Sequence, residues 1–128
     1  MRKTDADLEK GGKSFAGIRE SLSHGIDALS GAVEYILSNY QADPKKVAVG
    51  AVPLLKLLGI VAGGWQLARG AVAANRKLAE GHGDTAFYNA KITTAQFFAE
   101  HVLSAAPGLA RTITHGGEPA TALPQESF

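Results

Sequence analysis

The chain has 128 residues and a net charge of +1, with 45% hydrophobic and 20% charged residues. Such values are typical of one globular domain and not of a disordered chain. The absence of cysteine excludes disulfides, thiolate catalysis and cysteine-ligated zinc, and no basic face indicates nucleic-acid binding. The N-terminal sequence MRKTDADLEKGGK lacks the apolar core of a signal peptide, so we expect a cytoplasmic location.

The first predicted helix spans residues 13–40 and follows a flexible segment, residues 1–12, which ends at the glycine pair Gly11-Gly12. Apolar residues three and four positions apart form one stripe along about 40 Å of this helix. The stripe consists of Phe15, Ile18, Leu22, Ile26, Leu29, Val33, Ile36 and Tyr40. Gly25 and Gly31 weaken the helix, so tertiary packing must stabilise it.

The second helix is predicted to begin at Asp43-Pro44, because aspartate is a good N-cap and proline suits the first helical position. It runs to about Glu80, with a bend expected at Pro53, and ends at the turn Gly81-His82-Gly83. Such a turn before a helix can bind phosphate, but it lacks the P-loop residues, and a plain turn is the better interpretation.

Asp84 is predicted to cap a third helix, and Ala106-Pro107-Gly108 to interrupt the chain before a short fourth helix. The stripe of the third helix contains Phe87, Lys91, Thr94, Ala95, Phe98 and Val102, and the fourth helix carries Leu109 and Ile113. With no period-two strand pattern, the prediction is an all-α, up-down four-helix bundle over residues 13–117, with two long and two shorter helices. Residues 118–128 are expected to form an irregular tail.

The sequence from Pro44 to Ala73 is nearly free of charge, since Lys56 is its only charged residue between Lys46 and Arg69. Its length approaches that of a membrane span. Pro53, Lys56 and several glycines favour instead a helix that is buried in protein. Gly59 and Gly63 are predicted to form a smooth strip against the first helix, near Gly25 and Leu29.

No catalytic, cofactor or metal site is predicted. Glu100-His101 resembles a general-base pair, but adjacent helical residues point about 100° apart. The histidines at 24, 82, 101 and 115 show no ligand spacing. Aromatic and leucine side chains are interpreted as packing or interface anchors and not as a cofactor pocket. These candidates are Leu57, Leu58, Gly59, Gly63, Trp65, Phe97 and Phe98.

Three segments resemble the extreme C-terminal domain of bacterial acyl-CoA dehydrogenase-like enzymes, in the long subfamily that includes methylmercaptopropionyl-CoA dehydrogenase. They are AVEYILSNY, VGAVPLLKLLGIVAGGWQLARGAVAA and FYNAKITTAQFFAEHVLSAAPGLARTITHGG, followed by a tail that ends in phenylalanine. The resemblance covers residues 15–128, and its most specific part is the block of Phe87, Lys91, Ala95 and Phe98 with the Ala-Pro downstream.

The resemblance implies an accessory helical bundle that packs against the catalytic domains of a flavoenzyme and shapes its subunit assembly, often as a homo-oligomer. In that family FAD and a glutamate base carry out the 2,3-dehydrogenation of an acyl-CoA thioester. No segment here matches the domains that hold them, so no catalytic or flavin residue is transferred to this sequence. The alternative is a stand-alone helical module that binds a lipid, an acyl chain or a membrane surface.

Overall fold

A computed structural model describes residues 2–81 and 83–127, and within these residues all regular secondary structure is helical. The α-helices are α1 (Arg2–Lys10), α2 (Lys13–Asn39), α3 (Pro44–Ala48), α4 (Ala51–Ala79), α5 (Thr85–His101), α6 (Ala106–His115) and α7 (Gly117–Thr121). Short 3-10 helices span Leu103–Ala105 and Gln125–Ser127. The prediction of an all-α fold is confirmed for the described part of the chain, in which α1 and α7 are additional and the second predicted helix is divided into α3 and α4.

Two aspartates begin helices as the sequence predicts. The Asp43 carboxylate accepts a hydrogen bond from the backbone N–H of Lys46 (3.0 Å), and Pro44 is the first residue of α3. The Asp84 carboxylate accepts one from the backbone N–H of Phe87 (3.1 Å) at the start of α5. Each cap satisfies a backbone donor that the first helical turn leaves without a partner.

The predicted bend at Pro53 is wrong, because the chain breaks earlier, at Gly50. A Cβ atom on Gly50 would lie 3.1 Å from Ile113 Cγ2 and 3.3 Å from the carbonyl oxygen of Val47. Close packing of α6 against this point therefore separates α3 from α4. Pro53 falls in the first turn of α4, where the missing N–H removes no helical hydrogen bond.

The break after the third predicted helix also lies earlier than expected. α5 ends at His101, and the 3-10 turn Leu103–Ala105 redirects the chain into α6. Pro107 does not interrupt a helix but occupies the first turn of α6, a position that proline favours.

The centre of the core is the side chain of Leu103, which is 1% exposed and lies between α2 and α4. A Cβ atom on Gly25 of α2 would lie 2.8 Å from Leu103 Cδ1, and one on Gly64 of α4 would lie 2.8 Å from Leu103 Cδ2. Because Gly25 and Gly64 have no side chains, they leave room between α2 and α4 for the side chain of Leu103.

The prediction that Gly59 and Gly63 approach the first helix is wrong. Gly59 faces open space, with no heavy atom within 4 Å of a Cβ built there. Gly63 faces Phe98 of α5, at 3.3 Å from the Cζ atom, and the glycine of α4 that lies in the core is Gly64. The glycine spacing predicts a close approach of another helix to α4. Such an approach exists, but the glycine of the core is Gly64 and not Gly59 or Gly63.

Both ends of the described chain contain a helix that the sequence analysis does not predict. The segment predicted to be flexible contains α1, whose Leu8 is buried in the main core. The segment predicted to be irregular contains α7, where Gly117 packs against the backbone of Lys46 in α3. The division of the chain at residues 12 and 117 stays a prediction.

We expect alanine to have opposite effects at two glycines of α4. Gly59→Ala should stabilise the protein by up to about 1 kcal/mol, since alanine is the better helix former and the site is open. Gly64→Ala should destabilise it, because overpacking costs about 1–3 kcal/mol and Leu103 has no free volume on the side of Gly25. Urea unfolding measures both, and a Gly64→Ala protein as stable as Gly59→Ala would contradict the proposed core.

A second pair of variants tests which face of α4 is buried. Leu57 is 0% exposed and Leu55 is 72% exposed. Leu57→Asp should lower the free energy of unfolding by about 3–5 kcal/mol, because it leaves an uncompensated charge in the core. Leu55→Asp should change it by less than about 0.5 kcal/mol. Equal melting temperatures for the two variants would show that the buried face of α4 is misassigned.

Candidate functional site

Several large apolar side chains are exposed in the last turns of α2, just after α3 and in the first turns of α4. Leu37 of α2 is 73% exposed, and Val52 and Leu55 of α4 are 78% and 72% exposed. We call this region the apolar end, and its members are Val33, Leu37, Tyr40, Val49, Val52, Leu55 and Leu58. An exposed group of large apolar side chains is a mark of an interaction site in soluble proteins.

α4 is the helix predicted to be buried in protein, but within this chain only one of its faces is buried. Its buried residues lie on one face, and they are Leu57, Val61, Gly64, Ala68, Ala71 and Ala74. α4 is long and apolar enough to cross a membrane by length and composition, yet only 22% of its most apolar window is buried here. One such helix is weak evidence for a membrane span, because core helices of soluble proteins pass the same test. Its outer face is available to a partner.

The predicted anchors fall into two groups. Leu57 is buried in the core, while Trp65 and Phe98 are partly buried against it. Leu58 and Phe97 are exposed. The ring of Phe97 stacks on His101 with 4.3 Å between ring centroids. A role for these residues in an interface with another protein stays a prediction.

Trp65 connects α4 to α1. Its indole N–H donates a hydrogen bond to the hydroxyl oxygen of Thr4 (2.9 Å), and Thr4 is buried. The guanidinium carbon of Arg69 lies 5.2 Å from the centroid of the Trp65 ring, within the range of a cation–π contact. Sequence reasoning treated Trp65 as an anchor but missed Thr4, since no local pattern connects a threonine in α1 to a tryptophan in α4.

Arg19 of α2 fixes the other side of α1. Its guanidinium donates to both carboxylate oxygens of Asp5, at 2.7 and 3.2 Å, and lies 3.3 Å from Glu9 Oε1. The hydrogen bond from Arg19 lowers the pKa of Asp5 below its usual value. These side chains are well exposed, so solvent screening keeps the contribution to stability small.

Glu100 and His101 point to different neighbours. The Glu100 carboxylate lies over Gly17 of α2, and His101 lies against Phe97 on the outer side of α5. Among residues 2–81 and 83–127, no three His, Asp or Glu side chains come together in a way that could hold a metal ion. His82, one of the four histidines considered, lies outside the described residues.

Comparison with known proteins identifies the family. Residues 1–124 match the family model described as "Acetyl-CoA dehydrogenase C-terminal like". The chain belongs to this family. The resemblance predicted from the segments around Tyr35, Gly63 and Phe98 is thus confirmed.

The chain is 40% identical over 100 residues to 3-methylmercaptopropionyl-CoA dehydrogenase of Ruegeria pomeroyi. The matched region is 78% of this chain and 17% of that relative. The chain thus spans a small part of the length of the relative it matches. The comparison supports the accessory role that the resemblance implied.

The described residues of the acyl-CoA dehydrogenase C-terminal-like domain do not fit FAD. A flavin ring needs a deep slot with free donors for its polar edge. In the described part of the chain, every buried polar side-chain atom already has a hydrogen-bond partner. We therefore derive no step through FAD from these residues.

The Asp5–Arg19 contact predicts a small acid-sensitive component of stability. Because the pKa of Asp5 is lowered in the folded state, its contribution is present above about pH 4 and is lost as the pH falls through the lowered pKa. Asp5→Asn should therefore lower the melting temperature slightly at pH 7, and this effect should be smaller at an acidic pH well below about 4. Asp27→Asn, on the exposed side of α2, is the control. An Asp5→Asn effect that is equal at both pH values would refute the assignment.

Proposed function

We propose that this chain is the accessory C-terminal helical domain of an acyl-CoA dehydrogenase-like flavoprotein and that its role is structural. The parent enzyme would use FAD to introduce a 2,3 double bond into an acyl-CoA thioester. The domain would bind the catalytic domains through the apolar end and contribute to a homo-oligomer in the cytoplasm. Family membership and the relative's name support this proposal.

The observation that carries the proposal is the exposure of Leu37, Val52 and Leu55. Covering one such side chain contributes roughly 1.5–3 kcal/mol, so three of them provide a substantial driving force for docking. Much of that gain is offset by the cost of association, which is lower for a partner joined in the same polypeptide. A covalently connected catalytic region is therefore a suitable occupant.

The arrangement of α2, α4, α5 and α6 as an up-down bundle is part of the same proposal. Gly25 lies near Val61, which brings the middle of α2 to the middle of α4. Since α3 is the short connection between these helices, they are expected to run antiparallel. This order would place the last turns of α2 beside the first turns of α4 and make the apolar end one surface.

A membrane-surface module is the second candidate, because α4 exposes apolar side chains and has no acidic residue. The two functions differ in what covers Leu55. A flavoenzyme partner should bind it in a defined complex, whereas a membrane should bind it without a protein partner.

A chimaera tests the proposal. In the Ruegeria pomeroyi relative, the matching segment is replaced by this chain, carrying either the wild-type sequence, Leu55→Asp or Gln66→Asp. Gln66 is the control, because it is exposed on α4 outside the apolar end. Leu55→Asp should shift the chimaera toward dissociated or less stable species by light scattering and thermal unfolding, and Gln66→Asp should match the wild type.

Failure of the wild-type chimaera to assemble would contradict the proposal, and so would two further outcomes. One is equal assembly and stability of all three chimaeras. The other is binding of the isolated chain to liposomes that Leu55→Asp abolishes, which would favour the membrane module. Circular dichroism of the isolated variants controls for folding.

A further inference from the structure

We propose that a groove between α1 and α4 binds an organic phosphate ligand with more than one phosphate group, such as the nucleotide end of coenzyme A. The groove has a volume of about 470 Å³, within the range of small-molecule sites. Its cationic residues are Lys3, Arg69 and Arg76, and its apolar residues are Trp65, Val72 and Ala73. The choice of coenzyme A among such ligands rests on the proposed function.

The shape of the groove is set by contacts that join its two walls. The hydrogen bond from Trp65 to Thr4 connects α4 to α1 at 2.9 Å, and Leu8 of α1 is buried in the core. Residues 65, 69, 72, 73 and 76 follow helical spacing, so they share one side of α4. The groove is therefore formed by the fold itself, with no need for a ligand to bring the helices together.

The charges of the groove favour an anion. Lys3 comes from α1, and Arg69 and Arg76 come from α4, where they are two turns or about 10 Å apart along the helix axis. α4 contains no aspartate or glutamate. The one carboxylate of the groove, Asp7, lies 3.7 Å from Lys10 outside it, which reduces its repulsion of an anion.

The two arginines are suited to separate phosphate groups. Guanidinium groups bind phosphate through two parallel hydrogen bonds. Arg69 is positioned by Trp65 beneath it and by a 3.1 Å hydrogen bond to Gln66. Arg76 is 70% exposed and forms a 3.8 Å ion pair with Glu80, so a phosphate group would compete with that carboxylate for its guanidinium.

The apolar floor distinguishes an organic phosphate from the inorganic ion. The groove has an apolar surface on which the flat ring of a nucleotide base can lie, formed by Trp65, Val72 and Ala73. Phosphate alone would leave this surface uncovered. The groove is also too small for an extended acidic peptide, so the combination favours a compact ligand with one apolar and one polyanionic part.

The experiment uses the single tryptophan of the chain as the probe, since Trp65 lines the groove. Coenzyme A is titrated into the isolated chain, and binding is followed by Trp65 fluorescence and by equilibrium dialysis. We expect saturable binding that Arg69→Gln and Arg76→Gln each weaken at least threefold and the double variant at least tenfold. Lys56→Gln, also on α4 but far from the groove, should bind like the wild type.

The ligand series separates the possible sources of the signal. Coenzyme A and ADP should bind more tightly than pyrophosphate, and pantetheine without phosphate should not bind. Pyrophosphate binding as tight as that of coenzyme A would refute the role of the apolar floor. No binding of coenzyme A at 1 mM, or an equal loss in Lys56→Gln, would overturn the site itself. The chimaera measures assembly and this titration measures a ligand, so either result can fail without the other.

Discussion

The fold depends on the insertion of Leu103 between two helices that meet it with glycine. A leucine in this position occupies volume on both sides, and any Cβ atom on Gly25 or Gly64 would fall within 2.8 Å of one of its methyl groups. The 3-10 turn that carries Leu103 also ends α5 and begins α6. One side chain therefore sets the separation of α2 and α4 and the position of both helices that follow. Phe98 and Val61 complete the same contact from α5 and α4.

Local signals in this sequence were reliable, whereas signals that depend on distant packing were not. Asp43 and Asp84 cap helices through backbone groups three residues away, so the short sequence contains all that the cap requires. The break at Gly50 exists because Ile113 approaches it, and no pattern around residue 50 reveals that neighbour. Pro53 is the more visible residue, but it causes no break. α1 contacts Trp65 and Arg19, both of which lie outside the segment predicted to be flexible.

The composition of α4 also does not predict which of its faces is exposed. The apolar run of α4 indicates that nearly every face of the helix avoids charge, but a helix that is apolar all round does not reveal which face belongs to the core. Leu57 and Leu55 are both leucines in the same apolar run, but Leu57 is buried in the core and Leu55 is exposed. The family could be recognised because it rests on many positions at once, including the segment around Phe98. The groove residues Lys3 and Arg69 were not found, since only the packing of α1 brings them together.

The uneven burial along α4 has a consequence for motion. From Ala51 to Ile60 the helix has one buried residue, Leu57, whereas from Val61 to Ala74 it has five. Local opening should therefore require less free energy in the first three turns, and amide hydrogens there should exchange with solvent sooner than those near Ala68. Val52 and Leu55 lie on this less protected segment. A partner that covers Val52 and Leu55 would also stabilise the helical state of this segment. Binding of the partner and local folding of the first turns of α4 are therefore coupled.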